Sequence, residues 1–96
     1  MSYFVTAKIQ VRENASLDDA SRMLKNLSRE TLKEPGCSQF SIHQSKEDPR
    51  TFILWEHFNS EQELEKHFEY DHTKEAFESG LTEIIEVSKT NLISES

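Results

Sequence analysis

The segment Thr51 to Asn59, T-F-I-L-W-E-H-F-N, constrains this chain most. Read as a strand, it places Phe52, Leu54 and Phe58 on one face together with Glu56. Ile53, Trp55 and His57 fall on the other, because successive side chains alternate across a strand. Both faces are largely apolar, unlike a strand with one side in water. A chain of 96 residues buries only about 60–65% of its unfolded surface, so its core is thin. One face of the strand can pack on the chain's own helices, but few residues remain to cover the other. A partner subunit's sheet is the economical cover, since contiguous exposed apolar patches usually mark interfaces. The expected assembly is a homodimer.

The rest of the chain supplies elements that fit around this strand. Tyr3 to Arg12 alternates, with Tyr3, Val5, Ala7, Ile9 and Val11 on one side; that is a strand with one buried face. Ser16 is a suitable N-cap, and Asp18 and Asp19 follow where negative charge suits the helix dipole. Leu17, Ala20, Leu24, Leu27 and Thr31 then recur at helical spacing, with Met23 beside the stripe. Pro35-Gly36 ends that helix: proline cannot continue its hydrogen bonds, and glycine accepts a left-handed turn. Cys37 to Ser45 reads as a strand joined to Thr51–Asn59 through the turn 46–50. Ser60 is a second N-cap, with Glu63 completing a capping box, and Leu64, His67 and Phe68 form the inner face of a short helix. Tyr70-Asp71 interrupts it. A third helix starts near His72 or Thr73 with Phe77, Leu81, Ile84 and Ile85 inward, and a last strand runs from about Val87 to Ile93. The order strand, helix, strand, strand, helix, strand is the split βαβ arrangement: an α+β, ferredoxin-like antiparallel sheet with helices on one face. Residues 1–96 are expected to form one domain.

Composition excludes several function classes. A net charge of −7 without any basic cluster opposes nucleic-acid binding, which needs Lys and Arg to neutralise phosphates. It equally opposes anionic membrane surfaces. No stretch approaches the ~20 apolar residues of a membrane span, and the N-terminus has no apolar signal-peptide core. Cys37 is the only cysteine, so no internal disulfide forms and a reducing compartment is expected. These features put the protein in the cytoplasm. Gly36 and Gly80 are the only glycines, which opposes a Gly-rich phosphate or dinucleotide loop.

Three residues stand out as carriers of chemistry. Glu56 sits at the centre of an apolar strand, where a carboxylate must be desolvated, paired or facing a cavity. It is either a hydrogen-bonded strand glutamate or a pocket carboxylate that takes a substrate proton. His67 lies on the apolar side of its helix, and His72 at or before the next. Each is either a packing residue or a base, acid or hydrogen-bond donor. If one helix carried both histidines, five residues would turn through ~500° and the rings would diverge by about 140°. His43 and His57 in the hairpin are taken to lie on opposite faces. No metal site is therefore expected. Cys37 would be a nucleophile only beside a histidine base and reads more simply as a small residue packed at a strand start. The aromatics are mostly core, with Phe40, Phe52, Phe68 and Tyr70 the candidates for a flat apolar wall against a ring-shaped ligand. The run Glu61, Glu63, Glu65, Glu69, Glu75 and Glu78 reads as a solvated helix face.

Gly36-Cys37, the aromatic Phe40, Asp48-Pro49, Trp55-Glu56-His57-Phe58, and Leu64-x-x-His67 followed by His72 and Phe77 form an ordered set. In this order the chain resembles the antibiotic biosynthesis monooxygenase (ABM) domain family. The resemblance implies a dimeric α/β barrel of ferredoxin-like subunits, and oxygenation of a small molecule with no metal, flavin or haem cofactor. In such chemistry an electron-rich phenol or quinol is deprotonated and its anion reacts directly with O₂. Glu56, His67 and His72 are the residues the resemblance makes catalytic. Haem-degrading members carry an Asn on the first strand and a Trp on the second helix. Here Thr6, Ala7 and Lys8 stand on that strand and the only Trp is on another, which departs from that pattern. Other members isomerise an autoinducer-2-type signal, for which the same three residues would serve. The competing class is a non-catalytic dimer that binds a small apolar ligand.

Overall fold

The structure is a computed structural model that describes residues 2–94. Among the described residues seven elements follow one another: β1 (Tyr3–Val11), α1 (Leu17–Thr31), β2 (Cys37–Gln44), β3 (Thr51–Phe58), α2 (Glu61–His67), α3 (Asp71–Glu78) and β4 (Thr82–Thr90). The strands form one antiparallel sheet in the order β2-β3-β1-β4. This is the ferredoxin-like α+β arrangement.

Local chemistry accounts for the boundaries. The Ser16 side chain accepts from Asp19 N–H at the start of α1, and Ser60 does the same for Glu63 N–H at α2, each satisfying an otherwise orphaned donor. Only half of the anticipated capping box forms, because the Glu63 carboxylate faces Lys66 instead. The Glu63 side chain also lies against Gly36, so a methyl group there would make it shift. Gly36 is not left-handed, as the helix-stop reading expected; among the described residues the positive φ belongs to Gly80, at 69°. Gly80 ends α3 early. Leu81 and Ile84 therefore leave the helix, and β4 begins at Thr82 rather than near Val87. Pairing with β1 decides this, matching Val11 with Thr82 and Ile9 with Ile84 before a bulge.

The core lies between the sheet and α1. Val5, Ala7, Ile9 and Val11 from β1 meet Phe52, Leu54 and Phe58 from β3 and Ala20, Leu24 and Leu27 from α1. β3 has the expected two-sided character. Its inner apolar residues are buried, Ile53 and Glu56 are half-buried and Trp55 remains 47% exposed on the back of the sheet. Phe4 stacks there on His57 with ring centroids 4.2 Å apart. His43 and His57 lie on this same back face, contrary to expectation. His43 pairs with Ile53, which is four residues from His57 on one strand, and an even separation keeps side chains on one side. Among the described residues, no helix is long and apolar enough to cross a membrane.

Candidate functional site

The inner face of the sheet is not filled completely. β1, β3 and β4 form the floor, and α1, α2 and α3 form the walls, of a cavity of about 280 Å³. Val5, Ala7, Leu24, Leu27, Phe40 and Leu54 line its apolar part, while Phe68, Phe77, Ile84 and Val87 edge it. These last four are about half exposed, and Phe68 and Phe77 lie against one another at 6.1 Å. β4 is the edge strand that the helices leave partly uncovered, so its apolar residues make an open rim.

Glu56 enters this cavity from β3. Its strand neighbours are Val5 on one side and Phe40 on the other. Among the described residues no side chain hydrogen-bonds its carboxylate. Burial pushes the Glu56 pKa up from 4.5 to about 7, and the charge of Glu34 pushes the same way. A carboxyl group in that range can exchange protons at neutral pH. Lys89, across Val5 on β4, is another charged cavity residue.

His67 closes the cavity from the last turn of α2, where it is 4% exposed. Its ring sits among Phe58, Phe68 and Phe40 at centroid distances of 5.2, 5.4 and 5.5 Å. Phe40 thus neighbours both Glu56 and His67. Burial lowers the His67 pKa, while a hydrogen bond to Glu34 pulls it back up. Neutral imidazole is therefore favoured.

Glu34 is the residue of this site that the sequence does not single out. It lies in the turn after α1 with a side chain only 3% exposed. Its Oε2 lies 2.8 Å from His67 Nδ1 and 2.6 Å from His72 Nε2, both at hydrogen-bond distance. Thr73 Oγ1 lies 3.3 Å from the same His67 nitrogen. The divergence expected of the two histidines rested on a single helix. Instead α2 ends at His67 and α3 begins at Asp71, so the chain turns and both rings point at one carboxylate. Glu34, His67 and His72 place potential metal-ligating atoms within 4.8 Å of one another, a grouping the sequence reading had not foreseen. The two short separations are hydrogen-bond lengths. Ligands of a tetrahedral zinc, at ~2.1 Å from the ion, would stand about 3.4 Å apart.

Three expected site residues lie off the cavity wall. His72 turns to Glu34, half-buried and stacked on Tyr70 at 5.3 Å. Tyr70 precedes α3 as its N-cap residue. Phe52 is buried on the inner face but borders a separate groove between α1 and β2. Phe40 and Phe68 do line the cavity. Cys37 is half-buried and donates to the Gln39 carbonyl. Burial pushes its thiol up to about 11, which opposes thiolate chemistry. Most of the acidic run is exposed, but Glu61 and Glu65 also border the cavity.

Fold and cavity together define a ferredoxin-like α+β protein with a small-molecule-sized, mostly apolar cavity under its helices. A family model described as antibiotic biosynthesis monooxygenase matches residues 2–79. The chain belongs to that family. Protein YjcS of Bacillus subtilis (strain 168), described as uncharacterized, is 29% identical over 90 residues, 94% of this chain and 86% of the relative. A solved structure of protein YJCS matches with a TM-score of 0.86 at 28% identity, covering 96% of this chain and 99% of that one. A conserved protein from Methanosarcina mazei Go1 matches with a TM-score of 0.76 at 32% identity, over 92% of this chain and 91% of its own.

Proposed function

We propose that this protein is a cofactor-independent monooxygenase acting on a small, electron-rich, quinol-like molecule. The observation that carries this reading is the placing of Glu56 and His67 in one apolar cavity, with the carboxyl group near neutral pKa. A cavity of about 280 Å³ lies near the lower end of ligand pockets and suits a compact ring system.

The reaction follows from two proton transfers. Glu56 takes the phenolic proton, and the anion so formed donates electrons to O₂ at a hydrogen-bearing ring carbon ortho or para to the oxygen. The resulting peroxide is protonated. His67, neutral and buried, takes the proton from that same carbon as the O–O bond breaks. One oxygen stays on the ring as a quinone carbonyl. The other leaves as water, carrying the two protons removed from the substrate. A phenol plus O₂ thus gives a quinone plus water, and a hydroquinone gives a hydroxyquinone plus water, with all four electrons supplied by the substrate. The apolar walls exclude water, which protects the anion and the peroxide from side reactions.

The active unit is a homodimer in this reading. Ile53, Trp55 and the Phe4–His57 stack offer the back of the sheet to a second copy. His57 Nε2 is buried there without a hydrogen-bond partner among the described residues.

Oxygen uptake by the purified protein, with no added cofactor, tests the proposal over a panel of hydroquinones, naphthols and small hydroxyketones. Stoichiometric O₂ consumption with quinone appearance is expected from the first two. Conversion of a hydroxyketone without O₂ uptake would instead assign the same residues to proton-shuttling isomerisation.

A further inference from the structure

We propose that Glu34 is the positioning residue of the cavity's base: its carboxylate holds His67 through Nδ1, so that the ring presents Nε2 to the cavity as an open proton acceptor. This rests on the role of His67 proposed above.

A neutral imidazole has one N–H, and the hydrogen bond made by one nitrogen decides what the other can do. At His67 the choice is constrained. Nδ1 faces Glu34 Oε2 at 2.8 Å, and a carboxylate only accepts, so the proton belongs on Nδ1. Nε2 is then left with its lone pair. The ring has little freedom to flip, because Phe40, Phe58 and Phe68 surround it. His72 has the opposite arrangement. Its Nε2 donates to the same oxygen at 2.6 Å, and it lies behind the carboxylate rather than on the cavity wall. His72 is thus the second donor of a buried carboxylate that would otherwise be undersatisfied.

The burial of Glu34 gives the arrangement its weight. A surface carboxylate would exchange partners with water, whereas a side chain 3% exposed keeps its two donors. Its anchorage also spans three segments: the turn after α1, the end of α2 and the start of α3. A positioned base needs this rigidity, since loss of the correct tautomer can cost a carboxylate–histidine pair orders of magnitude in rate.

Long-range proton–nitrogen NMR of the imidazole rings tests the proposal at neutral pH. The expected result is His67 protonated at Nδ1 and bare at Nε2 in the wild type. Glu34→Gln should move His67 partly or wholly to the Nε2–H form. On a quinol that the wild type oxidises, kcat should fall ~10²-fold with KM within a factor of about two, and Glu34→Asp should recover part of it. Glu34→Asp also serves as the tautomer probe should the glutamine variant fail to fold. His67 protonated at Nε2 in the wild type, or an unchanged tautomer in both variants, would overturn the proposal. So would zinc chloride bound stoichiometrically through both histidine rings, which would make the trio a metal centre. The tautomer is read without turnover, so a wild type inactive on every quinol would defeat the oxygenase reading while leaving this one decided.

Discussion

Glu34 and His67 are separated by 33 residues in the chain, yet the carboxylate oxygen of one and Nδ1 of the other lie 2.8 Å apart in a buried site. The sheet order brings this about. β2 and β3 carry the chain from the end of α1 across the sheet and back, so that α2 starts beside the turn that holds Glu34. The backbone joins there too, with Asn59 N–H donating to Gly36 C=O at 2.8 Å. A helix end and a helix stop thereby become one site.

Replacing Glu56 with glutamine should keep the fold, because the amide is nearly isosteric. It should lower turnover on a true substrate by ~10²-fold or more, the usual worth of a positioned base. In the wild type the acid limb of kcat/KM should fall near pH 7, since Glu56 has a pKa of about 7 and only its ionised form takes a proton. In the variant that limb should vanish, leaving the limb of His67 below the ordinary histidine range. Full activity in Glu56→Gln, with an unchanged pH profile, would remove the carboxylate from the mechanism.

The same residue should make stability pH-dependent. The folded pKa of Glu56, about 7, exceeds its ordinary 4.5, so between these values the native state holds a proton that the unfolded chain releases. Stability from this group is complete below about pH 4.5 and is lost as the pH rises towards 7, by at most about 3 kcal/mol. His67 acts in the opposite sense, because its lowered pKa costs stability in acid. Comparing variant with wild type isolates the glutamate. Glu56→Gln should be more stable than wild type at pH 8 by ~1–3 kcal/mol, and the difference should shrink at pH 4.5. Urea unfolding at both pH values measures it, and equal differences would refute the burial argument.

Phe58 is 0% exposed and packs against His67 at 5.2 Å. Truncation to alanine should destabilise the fold by about 3–5 kcal/mol, from lost transfer energy and the cavity left behind. Loss of less than 1 kcal/mol in urea titration (roughly the scale of a surface change) would mean the site collapses without cost.

Light scattering at micromolar concentration should give about twice the chain mass of 11.2 kDa. Trp55→Glu should yield a folded monomer, because Trp55 is 47% exposed and a charge there enters the interface rather than the core. A wild type that stays monomeric throughout that range would leave the apolar back of the sheet without the proposed partner.

Several parts of the protein are legible in its sequence. The alternation of Tyr3 to Arg12, the stripe from Leu17 to Thr31 and the serine caps at Ser16 and Ser60 are local signals, and the elements form where those signals lie. β4 starts earlier than the sequence pattern predicts, because Leu81, Ile84 and Ile85 also fit a helical spacing. The left-handed Gly80 and the pairing of β1 with Thr82 and Ile84 override that local preference, as long-range pairing commonly does. Gly36 lacks the left-handed backbone that a local helix stop suggests, and its neighbour, the Glu63 side chain, is 27 positions away and invisible to any local pattern.

The candidate site divides in the same way. Sequence alone determined that a carboxylate stands at the middle of an apolar strand, because alternation assigns Glu56 to the face of Phe52, Leu54 and Phe58. It determined also that His67 faces inward, from its place on an amphipathic turn. Only the tertiary structure decided that Glu34 belongs with them. A glutamate before Pro-Gly carries the local signature of a solvated turn, and its burial depends on α2 and α3 closing over it. The break between those helices likewise turned His67 and His72 towards one oxygen, where a single helix would have driven them apart. Periodicity reports which face a residue occupies within its own element. The meeting of side chains from different elements is a property of their packing, and packing sums contacts over the whole chain.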